Sequence, residues 1–417
     1  MSGTLMYINN SAVDAAGKPD PFFLQELPWL KQRFDRIVVV CQEGVRTLTG
    51  EEEKTYPLIH PLGGRVLSWI RLPFTRQLWR ELRHLQRDGV LTPRNVVKVA
   101  AFARRGLKMH FWAERMMRAL SEASTTLYAM WMSFDGYAAA LCKRRHPGMR
   151  FVVRGHAYDI DTERVPLNPY FMKQFIADQA DGLYLISETA KKQYLSYMQG
   201  KVDESRLHVL AMGSGGEPVE TYREAPLYTQ GVLRVVSCAQ VIPIKQVELM
   251  VEALGKWEGG PLCWTHIGGG EGLEELRRLA DRILGPKENV ICELLGQMSA
   301  SRIQKLYDER AFDVIVNTSR KEGVPISIME AMRHGTPVIA PAVGGIPDLV
   351  TPQVGWLYDP AEGAQGVLNA LQKLSSFTQE QAESMRRQVR EYWNEHCCSY
   401  SLLPRLFPEP IRHHVRR

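Results

Sequence analysis

The chain has 417 residues, 45% hydrophobic and 24% charged, with a formal net charge of +6. That is ordinary for a soluble globular protein and supplies two full cores. It leaves no bilayer-spanning run, because the best candidate, residues 128–142, is interrupted by Asp135 and Gly136.

The N-terminus MSGTLMYINNSAVDAAG has no basic segment followed by an apolar one, so no signal peptide is expected. Residues 5–8 read as a buried strand, 9–21 as a loop, 22–34 as a helix, and RIVVVC at 36–41 as a parallel, fully buried strand. Residues 66–120 are helical in pattern, basic and rich in Trp and Phe, with breaks expected near 88–93 and at Gly106. Between His60 and Leu120 stand thirteen Lys/Arg against three acids, a surplus of ten, so the rest of the chain is acidic. Strands follow at 126–131, 149–153, 182–187 and 207–211, with a helix at 136–145.

The second half alternates strands at 233–238, 263–267, 290–294, 312–317, 337–340 and 356–358 with helices at 246–257, 271–283, 300–309, 326–334 and 361–374. Such alternation, with short Gly/Pro connections, predicts parallel sheets covered on both faces. Two blocks separated around residues 213–226 predict an α/β protein of two doubly wound, Rossmann-like domains, with ligands at strand carboxyl ends in the cleft between them. The expected boundaries are 1–215, carrying the basic insertion at about 65–120, and 220–378; residues 213–218 are the expected hinge. Residues 379–417 are expected to return as helix to the first domain. The seven cysteines show no paired spacing and no Cys/His metal spacing, which fits a reducing cytoplasm, and Cys397 and Cys398 read as packing residues.

The chemistry concentrates in NTSRKEGVPISIMEAMRHGTPVIAPAVGGIPDLV, residues 317–350. A loop carrying Ser319, Arg320, Lys321, Glu322 and Gly323 leads through Val324 and Pro325 into a helix. The free amides near Ile326 and Ser327 favour an anion such as a diphosphate. Glu330 lies about one turn in, where the helix dipole supports an ionised carboxylate able to grip a ribose diol. Glu322 faces the same crevice, and Gly323, Gly344 and Gly345 permit close backbone approach.

The run E-G-V-P-I-S, with Glu330 eight residues after Glu322, then H-G-T-P-V-I and V-G-G-I-P-D, resembles the retaining glycosyltransferases of family 4, which have the GT-B fold. The resemblance is strong over about 233–359, moderate over 149–210 and weaker in the first 120 residues. It implies that Glu322 contacts the donor sugar, Glu330 the nucleotide ribose, and the amides of residues 323–327 the diphosphate. It implies retention of anomeric configuration and no metal or other cofactor. Ala239-Gln-Val-Ile-Pro-Ile-Lys245 is similar to the family's R-x4-K pair; Lys245 would stabilise the leaving diphosphate, while Gln240 replaces the arginine and supplies no charge. Arg320 and Lys321 are candidate substitutes. Arg154-Gly-His-Ala-Tyr-Asp159 resembles the histidine motif, with His156 facing the sugar and Arg154 and Asp159 orienting it or touching the acceptor. Gly269, within Gly268–Gly270, would line the nucleotide, and Gly296, in the turn 295–297, the base.

The reading is a glycosyltransferase moving a sugar from a nucleoside diphosphate sugar to a glycan or lipid-linked glycan in surface polysaccharide synthesis. It is expected to be cytoplasmic and peripheral at the inner face of the membrane. The basic segment, with Trp69, Arg71, Phe74, Arg76, Trp79, Arg80 and Arg83, fits docking on an anionic membrane, or solvated helix faces; nucleic-acid binding is not expected, for want of a recognised motif. The alternatives are a non-catalytic sugar-nucleotide-binding subunit, a GT-B-like nucleotide-sugar epimerase, and a metal-dependent transferase using Asp159-Ile-Asp161.

Overall fold

The computed structural model describes residues 3–12, 20–41, 44–49, 62–118, 120, 124–198, 202–215, 217–219 and 231–408, the side chains of 21, 44–49, 62 and 63 excepted. The chain forms two compact units, residues 1–210 with 403–417, and 211–402.

The first unit is built on β1 (Thr4–Ile8), β2 (Arg36–Cys41), β3 (Gly44–Thr49), β4 (Thr125–Ala129), β5 (Arg150–Gly155), β6 (Gly182–Leu185) and β7 (Leu207–Val209). They form one sheet in the order β3-β2-β1-β4-β5-β6-β7. All pairings are parallel except β2 with β3, an antiparallel edge that sequence reading passed over. In β2 every residue after Arg36 is buried, as a strand covered on both faces requires. Asp20 caps the helix Pro21–Arg33 through the Phe22 amide at 2.7 Å, with proline at the first helical position.

The basic segment contains helices Leu62–Arg71, Arg76–Arg87 and Pro93–Met117, broken at Asp88 as expected. The expected break at Gly106 is absent. A Cβ there would lie 2.5 Å from the Tyr137 ring and 3.0 Å from the Phe134 carbonyl. Gly106 therefore lets helix Pro93–Met117 seat closely on helix Phe134–Arg145; it serves packing and does not end the helix.

The second unit contains β8 (Leu233–Cys238), β9 (Leu262–Ile267), β10 (Val290–Leu294), β11 (Val314–Val316), β12 (Val338–Pro341) and β13 (Gly355–Tyr358). They form a wholly parallel sheet in the order β10-β9-β8-β11-β12-β13. Successive residues alternate between two cores. Val235, Val314 and Ile339 face one, and Val236, Ile315 and Val338 the other.

Two boundaries differ from expectation. The long helix Gln379–His396 belongs to the second unit, where Met385, Val389 and Trp393 join the core; only residues from 403 belong to the first. There Phe407 packs on Trp29, Phe34 and Tyr128. The expected hinge is pinned at residues 213–215. The Ser214 amide donates to the Cys397 carbonyl at 2.8 Å, and the fully buried Trp393 donates its indole N–H to Ser214 Oγ at 3.1 Å. Gly215, at φ +68°, lies where a Cβ would stand 2.9 Å from the Trp393 ring. Cys397 and Cys398 are buried. Among the described residues no helix is long and apolar enough to cross a membrane.

Candidate functional site: a strand-end crevice in the second unit

In the second unit the strand order reverses at β8 and β11, the topological switch point at which doubly wound sheets bind ligands. After β8 the chain makes a short 3-10 turn, Pro243–Lys245, and Gln246 turns it into the next helix at φ +45°. For a non-glycine residue that conformation is costly and is held only by its surroundings. The loop after β11 supplies them. Thr318 Oγ1 donates to the Lys245 carbonyl at 2.8 Å, and the Arg320 amide to the Ile244 carbonyl at 2.9 Å.

The same contacts carry Lys245 to Glu322. Its ammonium pairs with Glu322 Oε1, which also accepts a hydrogen bond from Ser319 Oγ at 2.7 Å. Ser319 is fixed in turn by the Asn317 side chain, which accepts its amide at 2.9 Å. Gly344, at φ +56°, closes the other side, where a Cβ would come within 1.8 Å of the Glu322 carbonyl oxygen. The Gly345 amide donates to the Gly323 carbonyl at 3.0 Å.

Pro325 is the N-cap of helix Ile326–Arg333 and offers no side-chain cap. The bond from the Met329 amide to the Pro325 carbonyl, 3.4 Å, opens the helix, so the amides of Ile326 and Ser327 lie ahead of it. Val324 and Ile326 pack their side chains against the core. Glu330 is half-buried beside Gln304. Burial pushes its carboxyl above the ordinary range and the Gln304 hydrogen bond opposes this.

The glycine loop after β9 is tied to its neighbours. Gly269 accepts the Val241 amide at 2.7 Å and donates to Gln297 Oε1 at 3.3 Å, while the Gly268 amide donates to the Gly296 carbonyl at 2.9 Å. A Cβ on Gly268 would meet the Ala239 carbonyl oxygen at 1.8 Å. These glycines bring the loops after β8, β9 and β10 together. Gln240 is exposed on the first of them.

In the first unit, His156 follows β5 as the N-cap of the short helix Ala157–Ile160. Asp159 Oδ2 accepts the amides of His156 and Met132, each at 3.2 Å. Trp131 packs on the imidazole with ring centroids 4.2 Å apart, a contact that sequence reading did not foresee. Burial lowers the His156 pKa and Asp159 opposes it. Arg154 lies two residues earlier, in β5. It is buried and paired with Glu26 at 2.9 Å, a carboxylate that also accepts from Tyr128. Asp161 Oδ1 accepts the Glu163 amide at 2.9 Å and the Gln193 side-chain amide at 3.3 Å.

On the basic helices of this unit, Trp69 is 62% exposed, Phe74 78% and Trp79 54%. The Arg104 guanidinium lies 4.6 Å from the Trp69 ring centroid.

Residues 219–392 match the family model described as glycosyl transferases group 1. This segment is similar to a group 1 glycosyltransferase domain. It holds Gln240, Lys245, Gly269, Gly296, Glu322, Gly323, Val324, Ile326, Ser327 and Glu330. The chain is 32% identical over 151 residues to the amylovoran biosynthesis glycosyltransferase AmsK of Erwinia amylovora, covering 34% of this chain and 36% of that protein. It is 28% identical over 246 residues to the D-inositol 3-phosphate glycosyltransferase of Mycolicibacterium smegmatis, covering 57% of this chain and 52% of that one. The chain thus spans between a third and about half the length of these relatives. Among solved structures it is similar to Anabaena HepE in complex with UDP-glucose, with a TM-score of 0.59, 16% identity and coverage of 97% of this chain and 98% of that one. The fold is GT-B, two parallel-sheet α/β domains, as the sequence pattern predicts.

Proposed function

We propose that this protein is a retaining, metal-independent glycosyltransferase of family 4. It transfers one hexose-type unit from a nucleoside diphosphate sugar to a glycan or lipid-linked glycan during surface polysaccharide synthesis. The observation that carries the reading is the Lys245–Glu322 ion pair beside the uncapped start of helix Ile326–Arg333.

The pairing supports the reading because a cation and free backbone N–H donors are the groups that stabilise a diphosphate leaving group. When the donor binds, Lys245 exchanges its carboxylate partner for the diphosphate, and Glu322 is released to accept hydrogen bonds from sugar hydroxyls. Glu330 accepts the ribose diol, and the free amides at the helix start, by donating to the diphosphate, offset the cation that Gln240 lacks. His156, held neutral by burial, serves the transfer step. The acceptor hydroxyl attacks from the leaving-group side. AmsK supports the polysaccharide class by its name, and HepE, solved with UDP-glucose, supports testing uridine donors first.

The exposed Trp69, Phe74 and Trp79, set among arginines, dock the protein on an anionic cytoplasmic membrane face. The test is incubation with UDP-, GDP- and ADP-sugars in EDTA, with anomeric configuration read by NMR. Slow donor hydrolysis with retention, lost in Glu322→Ala, supports the proposal. Binding with no hydrolysis or transfer points to a non-catalytic subunit. Interconversion of free nucleotide sugars points to an epimerase, and rescue only by manganese to the metal-dependent reading.

A further inference from the structure

Lys173 is a buried cation in the first unit that the function proposed above leaves unused. It opens helix Lys173–Gln179 and is 1% exposed. Three features of the position count against a lysine. An ammonium taken out of water is costly unless it is paired. The first turn of a helix disfavours positive charge. Met172, just before it and fully buried, is held at φ +54° and ψ +24°, a left-handed conformation that a non-glycine residue keeps only where its surroundings impose it. An apolar side chain at 173 would avoid both charge costs, so packing alone does not account for the ammonium.

Its hydrogen bond does. The Lys173 ammonium donates to the Met132 carbonyl. The amide of the same Met132 donates to Asp159 Oδ2 at 3.2 Å, and that oxygen also accepts the His156 amide at 3.2 Å. One residue of the loop between β4 and helix Phe134–Arg145 is thus gripped from both ends, by a carboxylate on its N–H and an ammonium on its C=O. The residue before it is Trp131, whose ring packs on the His156 imidazole at 4.2 Å between centroids. Lys173 therefore bears on His156 through Met132 and Trp131. Asp159, which holds the His156 backbone, also supports the lysine's charge: burial lowers the Lys173 pKa to about 8 and Asp159 opposes the fall. The ammonium stays mostly protonated at neutral pH.

We propose that Lys173 is a positioning residue which, by holding the Met132 carbonyl, fixes Trp131 against His156 and so sets the imidazole for the transfer step. The proposal rests on the reading of His156 as a group of the transfer site. Lys173 acts on the reaction only through the loop it holds.

The test compares wild type with Lys173→Met and with Lys173→Gln, which is neutral, polar and one bond shorter, each checked for folding by far-UV circular dichroism and thermal melting. In protein carrying 13C-labelled histidine, the ring-proton resonances of His156, assigned with His156→Gln, report the ring current of Trp131 without need of turnover. The wild type should show an upfield displacement that Trp131→Leu abolishes and that both Lys173 variants at least halve. With whichever UDP-, GDP- or ADP-sugar the wild type turns over, kcat should fall about 10²-fold, the loss that a misplaced group brings, while calorimetric affinity for the parent nucleoside diphosphate is unchanged. A ring-current displacement kept in either folded variant, or an unchanged kcat in an active protein, overturns the proposal. A wild type that turns over no nucleotide sugar contradicts the transferase reading instead, and the ring current still decides whether Lys173 positions His156.

Discussion

Lys245 and Glu322, 77 residues apart in the chain, meet as an ion pair at the carboxyl ends of β8 and β11. Both side chains are partly buried, 23% and 13% exposed. On the proposed reading the pair's significance is chemical: it parks a cation where a leaving diphosphate would lie. Lys245→Ala is expected to lower kcat about 10²–10³-fold, with the fold intact by circular dichroism. Steady-state kinetics check this, and unchanged turnover counts against the role.

Gly344→Ala tests the crevice geometry. The new methyl group would collide with the Glu322 carbonyl at a residue whose φ is +56°. The expected cost is about 1–3 kcal/mol of stability, with donor affinity reduced more than tenfold, by thermal melting and calorimetric titration. Gly89→Ala, also at positive φ but in open space, is the control for backbone strain without a collision.

Arg154→Met separates a buried structural arginine from an acceptor contact. It leaves Glu26 buried without its cation, a change that costs about 3–5 kcal/mol. In Arg154→Met with Glu26→Gln, most of that loss is expected to return, by urea denaturation. An acceptor-contacting arginine would show no such rescue.

Glu81 gives a pH-dependent prediction. Burial pushes its carboxyl from 4.5 up to about 8, against Arg80 at 3.9 Å, and His84 lies 3.2 Å away. Because the folded pKa is the higher, the unfolded chain ionises first as pH rises. Stability is fully present below about 4.5 and declines until about 8. Glu81→Gln should match the wild type at pH 4 and exceed it at pH 8, by about 1–4 kcal/mol. Thermal melts across that window decide; a constant difference would contradict it.

Membrane docking predicts that the protein floats with anionic vesicles and not with neutral ones, and less so at high salt. Replacing Trp69, Phe74 and Trp79 with serine should reduce flotation at least fivefold without lowering donor hydrolysis in solution. Equal flotation on both vesicle types would sink the membrane reading.

Much of the fold was legible because its strands are short apolar runs between Gly, Pro and polar turns, and parallel strands need both faces apolar. β3 escaped because GVRTLT carries no such run: an edge strand is specified by its neighbour β2. Gly106 misled because a packing glycine and a helix-ending one are the same letter. In the site, Glu322 and the helix start were readable from spacing, since one loop and one helix carry both. The Lys245 partnership was not, because it depends on which loop folds across β8. Glu330 was placed correctly, but its ionisation is set by Gln304 and burial, which come from another helix.

The most direct test of the central claim is a thermal-shift titration of nucleotide sugars and their parent diphosphates against wild type, Glu322→Ala and Glu330→Ala. One nucleotide sugar should stabilise the wild type beyond its diphosphate. That extra stabilisation should vanish in Glu322→Ala, where the diphosphate still binds, and both responses should fall in Glu330→Ala. Identical shifts in all three proteins would contradict a donor site at Glu322 and Glu330.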